Sequence, residues 1–168
     1  TGAVWLYTAD GRLARCRDGK VENIWPVVPG FSVYRAVITE PSGQIWIGTD
    51  TRLFSLESDL SAPAFELLLK PHPLPGKLDF LLASQKGGFW QFADGRILKT
   101  QTNVVKQDFG EYPWGAARIM SALEDHAGQL VVGTQNGGVF RFDAEGQSHR
   151  VPGLSHNTAL SLAEDREG

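Results

Sequence analysis

The stretch Gly43-Gln-Ile-Trp-Ile-Gly-Thr49 returns as Gly128-Gln-Leu-Val-Val-Gly-Thr134, and this repetition decides the fold. Looser copies are Gly2-Ala-Val-Trp-Leu-Tyr-Thr8 and Gly87-Gly-Phe-Trp-Gln-Phe-Ala93. The leading glycines, with Gly168 as a fifth, are separated by 40 to 44 residues. A period near forty residues that carries strand-like segments is typical of β-propellers, in which each repeat forms one blade.

The second repeat shows how one repeat divides into four short strands, at residues 34–39, 44–49, 52–57 and 64–69. These segments are rich in β-branched and aromatic residues, and their spacing leaves no room for helices of ten residues. The second strand is apolar on successive residues, so we expect both of its faces to be buried between neighbouring blades. We therefore predict an all-β propeller of about four blades, each of four antiparallel strands, as part of a larger propeller.

Residues 1–168 are predicted to form one propeller segment with repeats at approximately 2–42, 43–86, 87–127 and 128–168. The chain begins with the second strand of a repeat. Its last predicted strand, over residues 158–163, corresponds to the first strand of a repeat. That last strand could complete the first blade and close a four-bladed ring. Alternatively, two copies could share blades in an eight-bladed dimer, or the chain could belong to a seven-bladed parent.

Recurring residues are expected to be structural. Trp5, Trp46 and Trp90 occupy one repeat position and are predicted to lie in the core. Asp10-Gly11 and Asp94-Gly95 are predicted to form type I′ hairpin turns, which need positive φ at both residues.

Composition narrows the possible partners. The net charge of −3 indicates no excess of basic residues, so nucleic acid is not expected as a partner. No apolar run approaches the roughly 20 residues of a membrane helix, so we expect no membrane contact by this segment. Cys16 is the single cysteine and cannot form an intrachain disulfide.

Residue types suited to catalysis are present, but the repeat explains most of them. Glu124-Asp125 and Glu164-Asp165 occupy equivalent turn positions, so we interpret both pairs as structural caps rather than as a catalytic acid pair. The four histidines lack the spacing of metal ligands, and the sequence contains no phosphate-binding or dinucleotide motif. We therefore expect no catalytic residues, no metal and no cofactor in this segment.

The repeat resembles that of two-component regulator propellers. Residues 124–134 read Glu-Asp-His-Ala-Gly-Gln-Leu-Val-Val-Gly-Thr, and Gly137-Gly-Val-Phe-Arg-Phe142 follows as the hairpin. That family's repeat reads roughly Glu-Asp-x-x-Gly-x-Leu-Trp-Ile-Gly-Thr and then Gly-Gly-Leu-x-x-Phe. The resemblance spans the chain, although the third repeat lacks the Glu-Asp pair and the fourth has Val131 in place of tryptophan.

The resemblance implies a non-catalytic sensor or interaction module. Such propellers are typically extracytoplasmic parts of bacterial signalling proteins, so a periplasmic location and a membrane-anchored parent are expected. The implied output module is a histidine kinase or a diguanylate cyclase, and a homodimer is a further expectation. The alternative is a propeller enzyme of the lyase or glycosidase type that acts at the central channel.

Residues that break the repeat near one rim are the candidates for binding a ligand. Propeller ligands usually meet the face formed by the loops that enter the innermost strands and by the second-to-third-strand hairpins. The aromatic and cationic side chains expected there suit a saccharide or another small, acidic molecule. The candidate residues are Tyr34, Arg35, His72, Lys77, Trp114, Arg118, His156 and Asn157.

Overall fold

The computed structural model describes residues 2–25, 34–56 and 69–165, and its regular structure there consists of short β-strands. The strands are β1 (Val4–Tyr7), β2 (Leu13–Arg17), β3 (Lys20–Trp25), β4 (Tyr34–Thr39), β5 (Ile45–Thr49), β6 (Leu53–Leu56), β7 (Leu69–His72), β8 (Leu78–Ala83), β9 (Phe89–Ala93), β10 (Arg96–Gln101), β11 (Val104–Glu111), β12 (Ile119–Glu124), β13 (Leu130–Thr134), β14 (Val139–Phe142) and β15 (Ser148–Arg150). Within these ranges, no helix is long and apolar enough to cross a bilayer.

The strands form four antiparallel meanders, which we call blades 1 to 4. Blade 1 contains β1–β3, blade 2 β4–β7, blade 3 β8–β11 and blade 4 β12–β15. The first strands of blades 2, 3 and 4 contact one another in sequence, as the innermost strands of a propeller do. The predicted all-β propeller fold is therefore confirmed. The predicted strand over residues 64–69 falls largely outside the described residues, and β7 begins at its end.

The core lies between the blades rather than within any one of them. Trp46 of blade 2 packs on Phe89 of blade 3 with ring centroids 4.6 Å apart. Trp90 is 1% exposed and belongs to the cluster shared by blades 3 and 4. Trp5 is only half-buried and stacks on Trp25 at 5.3 Å. Both faces of β5 and β9 are buried because each blade is covered by its neighbours.

The hairpin predictions hold at one turn and fail at the other. Asp94 and Gly95 have φ values of 51° and 78°, as a type I′ turn requires. Gly11 has a φ of 82°, but Asp10 does not have positive φ. The Gly11 N–H instead donates to the Thr8 carbonyl at 2.9 Å, and the Thr8 N–H donates to the Arg12 carbonyl at 2.9 Å, so the hairpin loop is longer than a two-residue turn. The prediction was wrong at Asp10 because an Asp-Gly pair also suits wider turns.

The Glu-Asp pairs are structural, as predicted, but their two residues have different partners. Asp125 accepts a hydrogen bond from a backbone N–H of its own turn at 2.7 Å. The glutamates reach the preceding blade instead. Glu124 accepts from the Gln85 N–H at 2.7 Å, and Glu164 accepts from the His126 N–H at 2.9 Å. The aspartate therefore caps a turn, and the glutamate joins two consecutive repeats.

The predicted strand over residues 158–163 does not form a strand, because no described segment pairs with it along a ladder. The segment lies against blade 4, where the Ala159 N–H donates to the Thr134 carbonyl at 3.1 Å. Among the described strands, β1 pairs only with β2. Closure of a four-bladed ring by this segment is thus not observed.

Candidate functional site

A cleft of about 700 Å³ opens where chain segments enter the innermost strands. Its walls come from the end of β1, the starts of β4, β8 and β12, the hairpin after β9 and the loop before β12. All four blades therefore contribute to it. The lining residues are Tyr7, Tyr34, Arg35, Lys77, Asp79, Phe80, Gly95, Tyr112, Gly115, Ala116, Ala117, Arg118, Ile119 and Met120.

Four of the eight sequence candidates meet in this cleft, namely Tyr34, Arg35, Lys77 and Arg118. The first two lie at the start of β4, and the other two immediately precede β8 and β12. This is the face that the repeat pattern indicated. The structure therefore brings together an aromatic ring and three cations that are widely separated in the sequence.

Two other candidates, His72 and Trp114, do not line the cleft. His72 is on the outermost strand of blade 2, where its ring packs on Trp46 at 4.7 Å and its Nε2 lies 2.7 Å from Ser55 Oγ. Trp114 is 8% exposed and is packed in the core between blades 3 and 4, where it stacks on Tyr112 at 4.9 Å. Trp114 thus supports one wall of the cleft from behind.

The last two candidates belong to the loop after β15, outside the cleft lining. The Asn157 side-chain oxygen accepts a hydrogen bond from Arg150 at 2.9 Å, and its backbone carbonyl accepts from the Gly138 N–H at 2.7 Å. His156 Nδ1 accepts from the Thr158 N–H at 3.3 Å. The Asn157 bonds hold the loop against blade 4, and the His156 bond is local to the loop, so both residues have structural contacts.

A β-bulge recurs at the mouth of the innermost strands of blades 2, 3 and 4, and it directs one side chain of each of these three blades into the cleft. The strand register shifts between Tyr34 and Ala36, and it shifts at the equivalent places in β8 and β12. The skipped residues are Arg35, Asp79 and Met120, and all three line the cleft. Bulges commonly re-aim a side chain next to functional sites. The position is repeated in these three blades, but the chemistry of its side chain differs in each of them.

Some charged side chains of the cleft are paired with an opposite charge, and others are not. The Arg35 guanidinium donates to the Asp50 carboxylate, which neutralises it. The Tyr112 hydroxyl donates to Asp79 at 3.1 Å. Within residues 2–25, 34–56 and 69–165, neither Lys77 nor Arg118 has a carboxylate within 4.0 Å. Two cations of the lining are therefore available to an anionic ligand.

Aromatic rings form another part of the lining. Tyr112 is held by its stack on Trp114 and by its bond to Asp79. Burial and then the negative charge of Asp79 raise the pKa of Tyr112 far above its usual value, so it remains a neutral phenol. Tyr7 is 44% exposed, with its ring centroid 5.9 Å from that of Tyr34. These faces can stack on a ring-shaped ligand.

Sequence reasoning missed Tyr7, Asp79 and Met120, although signals for them existed. Tyr7 occupies the position at which the two clear copies of the repeat have Gly48 and Gly133. The other two are equivalent to Arg35 in their own repeats. Comparing the chemistry at this one repeat position would have identified them.

No family model matches the chain, and no curated protein matches it. Several solved structures resemble it in fold. The extracellular domain of a hybrid two-component system protein of B. thetaiotaomicron is 19% identical, with a TM-score of 0.70 over 98% of this chain and 24% of that chain. An inactive histidine-to-alanine variant of virginiamycin B lyase from Staphylococcus aureus, with quinupristin, is 16% identical, with a TM-score of 0.70 over 93% of this chain and 54% of that chain. The WD40 β-propeller domain of Doa1 is 13% identical, with a TM-score of 0.71 over 96% of this chain and 54% of that chain.

These likenesses show the propeller fold. The chain spans about half the length of the lyase and the WD40 domain, and about a quarter of the two-component extracellular domain. The structures of similar fold include both extracellular domains of two-component systems and an enzyme, so the function of this chain has to be argued from its own cleft.

Proposed function

We propose that this chain is part of an extracytoplasmic sensor propeller of a bacterial signalling protein, and that it binds a small molecule or saccharide in the cleft without catalysing a reaction. The observation that carries the proposal is the bulge position, where Arg35, Asp79 and Met120 line one cleft from three blades. A position that keeps its geometry while its chemistry changes between blades suits the recognition of one asymmetric ligand.

The resemblance of the repeat to two-component regulator propellers supports this proposal, as does the fold likeness to extracellular domains of two-component systems. We propose a periplasmic location, and a membrane-anchored parent that carries a histidine kinase or diguanylate cyclase. A ligand that contacts several blades would stabilise one arrangement of them, and its binding free energy could then bias a dimeric parent toward one signalling state.

A propeller lyase or glycosidase is the second candidate, and the fold likeness to virginiamycin B lyase favours it. The composition of the cleft favours the sensor. The lining holds one carboxylate, Asp79, and no histidine among the described residues. Asp79 already accepts a hydrogen bond from Tyr112. An acid–base mechanism generally needs a proton donor and a proton acceptor placed around one reacting group.

The proposal is tested by screening the full chain against neutral and acidic saccharides, with the melting temperature and product formation both measured. We expect at least one class to raise the melting temperature, and we expect no product. Ala116→Trp should abolish the effect because Ala116 is an exposed residue of the lining, where an indole would fill the cleft. Ala144→Trp, at an exposed turn outside the lining, is the matched control.

Two results would contradict the proposal. One is an equal response of wild type and Ala116→Trp to every ligand that binds, which would place binding elsewhere. The other is turnover that is lost in Ala116→Trp, which would favour the enzyme. In the parent protein, the same two variants should separate loss of signal output from a general folding defect.

A further inference from the structure

Lys77 and Arg118 occupy the same place in consecutive blades. Each immediately precedes an innermost strand, β8 or β12, and each lines the cleft. The Asp94 N–H donates to the Lys77 carbonyl at 2.9 Å, and the Gln135 N–H donates to the Arg118 carbonyl at 2.8 Å. The two cations are thus carried by equivalently anchored backbone at the mouth of neighbouring blades.

These cations differ from the other charged groups of the cleft. Arg35 is neutralised by Asp50, which lies outside the lining. For Lys77 and Arg118, no acidic side chain in the described part of the chain lies within salt-bridge distance. With the Arg35–Asp50 pair counted as neutral, Lys77, Arg118 and Asp79 leave the cleft a surplus of one positive charge, whereas the chain as a whole carries −3. A local surplus of positive charge in a concave cleft attracts anions, even when the protein as a whole is acidic.

The neighbouring groups limit what the anion can be. Asp79 repels a second negative group, and it can accept a hydrogen bond from a ligand hydroxyl. Tyr112 and Tyr7 present aromatic rings, and Phe80 adds apolar surface. The cleft therefore combines two cations, one acceptor and stacking faces.

We propose that the ligand of this cleft is a hydroxylated ring that carries a single carboxylate or sulfate group, and that Lys77 and Arg118 bind this anionic group. The inference rests on the proposed function of the cleft and specifies its ligand class. The guanidinium of Arg118 suits two parallel hydrogen bonds to either anion, and the ammonium of Lys77 acts as a point charge. Asp79 accepts from a ring hydroxyl, and the tyrosines stack on the ring.

Three probes that share one ring test this inference by titration of the full chain. They are methyl galactopyranoside, its C6-oxidised uronic acid and its 6-sulfate. We expect one or both acidic probes to bind at least tenfold more tightly than the neutral probe, and we expect this advantage to shrink as salt rises. The tighter of the two acidic probes distinguishes a carboxylate ligand from a sulfate ligand.

Variants assign the effect to particular residues. Lys77→Ala and Arg118→Ala should each weaken binding of the acidic probe by about tenfold, since each removes a charged hydrogen bond. Asp79→Asn should strengthen it, because it removes a like charge while an amide oxygen remains to accept from Tyr112. Lys106→Ala, an exposed cation on β11 outside the lining, should leave binding unchanged.

Equal affinity for the neutral and acidic probes would overturn the inference, as would unchanged binding in both cation variants. A neutral saccharide that binds at least as tightly as both acidic probes, and whose binding is lost in Ala116→Trp, would reject the anionic ligand while leaving the sensor proposal intact. Failure of both acidic probes to bind would also reject the inference, and the saccharide screen then decides separately whether the cleft binds any ligand.

Discussion

Glu124→Ala should weaken the contact between blades 3 and 4 more than the removal of any other charged side chain described above. Glu124 is 2% exposed and accepts hydrogen bonds from the Gln85 N–H at 2.7 Å and from Lys99 Nζ at 2.9 Å. The Lys99 side chain is 12% exposed, and its ammonium lies 5.0 Å from the ring centroid of Trp90. Removing the carboxylate leaves this cation nearly buried and without its anion.

The expected cost follows from that burial. Removing one partner of a buried ion pair costs about 3–5 kcal/mol, and the slight exposure of Lys99 places this case near 3 kcal/mol. For a chain of 168 residues, that corresponds to a fall in melting temperature of about 6–12 °C. Glu124→Gln should cost less, because an amide oxygen can still accept from the Gln85 N–H.

Stability should also depend on pH through this residue. Burial acts to raise the pKa of Glu124, but hydrogen bonds from Ser84 and Lys99 outweigh it and hold the pKa below its ordinary 4.5. The contribution of the carboxylate is therefore fully present above pH 4.5, and it is lost as the pH falls through the lower pKa of the folded state. The stability difference between wild type and Glu124→Gln should shrink over that acid range.

Thermal unfolding followed by circular dichroism measures these effects, and Glu164→Ala is the matched control. Glu164 is equivalent to Glu124 by the repeat, but its partner His126 is an exposed side chain that water can solvate. We expect only a small change for the control. A Glu124→Ala protein that melts within about 2 °C of wild type would refute the reasoning, since a cost near 3 kcal/mol cannot produce so small a shift.

Trp46→Ala should cost about 3–5 kcal/mol in chemical denaturation, because it removes a 5% exposed indole that packs on Phe89; a loss below 1 kcal/mol would argue against the core position. The interaction with Glu164 raises the pKa of His126, so its NMR titration midpoint should lie above 6.5 and should return toward 6.5 in Glu164→Gln. The imidazolium–carboxylate contact is then present at lower pH and is lost as the pH rises through that midpoint. Gly88→Ala should destabilise by about 1–3 kcal/mol, because φ is +73° and the new Cβ would lie 2.2 Å from the Thr100 carbonyl oxygen, whereas Gly2→Ala, with open space around it, should be neutral.

The contacts between repeats show which features of the structure could in principle be predicted from the sequence. Where Glu124 and Glu164 reach the preceding repeat, a backbone N–H is available to donate. Between blades 2 and 3, the equivalent positions hold Pro41, which has no N–H, and Ala83, which has no side-chain acceptor. Between blades 2 and 3, both the backbone donor and the side-chain acceptor of this contact are therefore missing. The sequence contains this correlation, but recognising it requires knowing that the two positions face each other across a blade boundary.

The cleft was only partly predictable. Tyr34, Arg35, Lys77 and Arg118 line it as the entering segments indicated, because propeller topology brings these segments to one face. Trp114 could not be placed from sequence, since the loop that holds it turns back so that its ring packs on Phe140 in the core. His72 was misplaced because the boundary of β7 decides whether that residue belongs to a loop or to an outer strand.

By itself, the sequence determined the architecture of this protein. A forty-residue period with Gly43 and Gly128 at equivalent turns specifies blades, since each repeat can bury its apolar faces only against neighbouring repeats. Only the tertiary structure decided which side chains share the cleft. The bulges that direct Arg35, Asp79 and Met120 inward are properties of strand pairing, and pairing depends on partners distant in the chain. The forty-residue period specifies the blades, whereas the register between strands decides which side chains line the cleft.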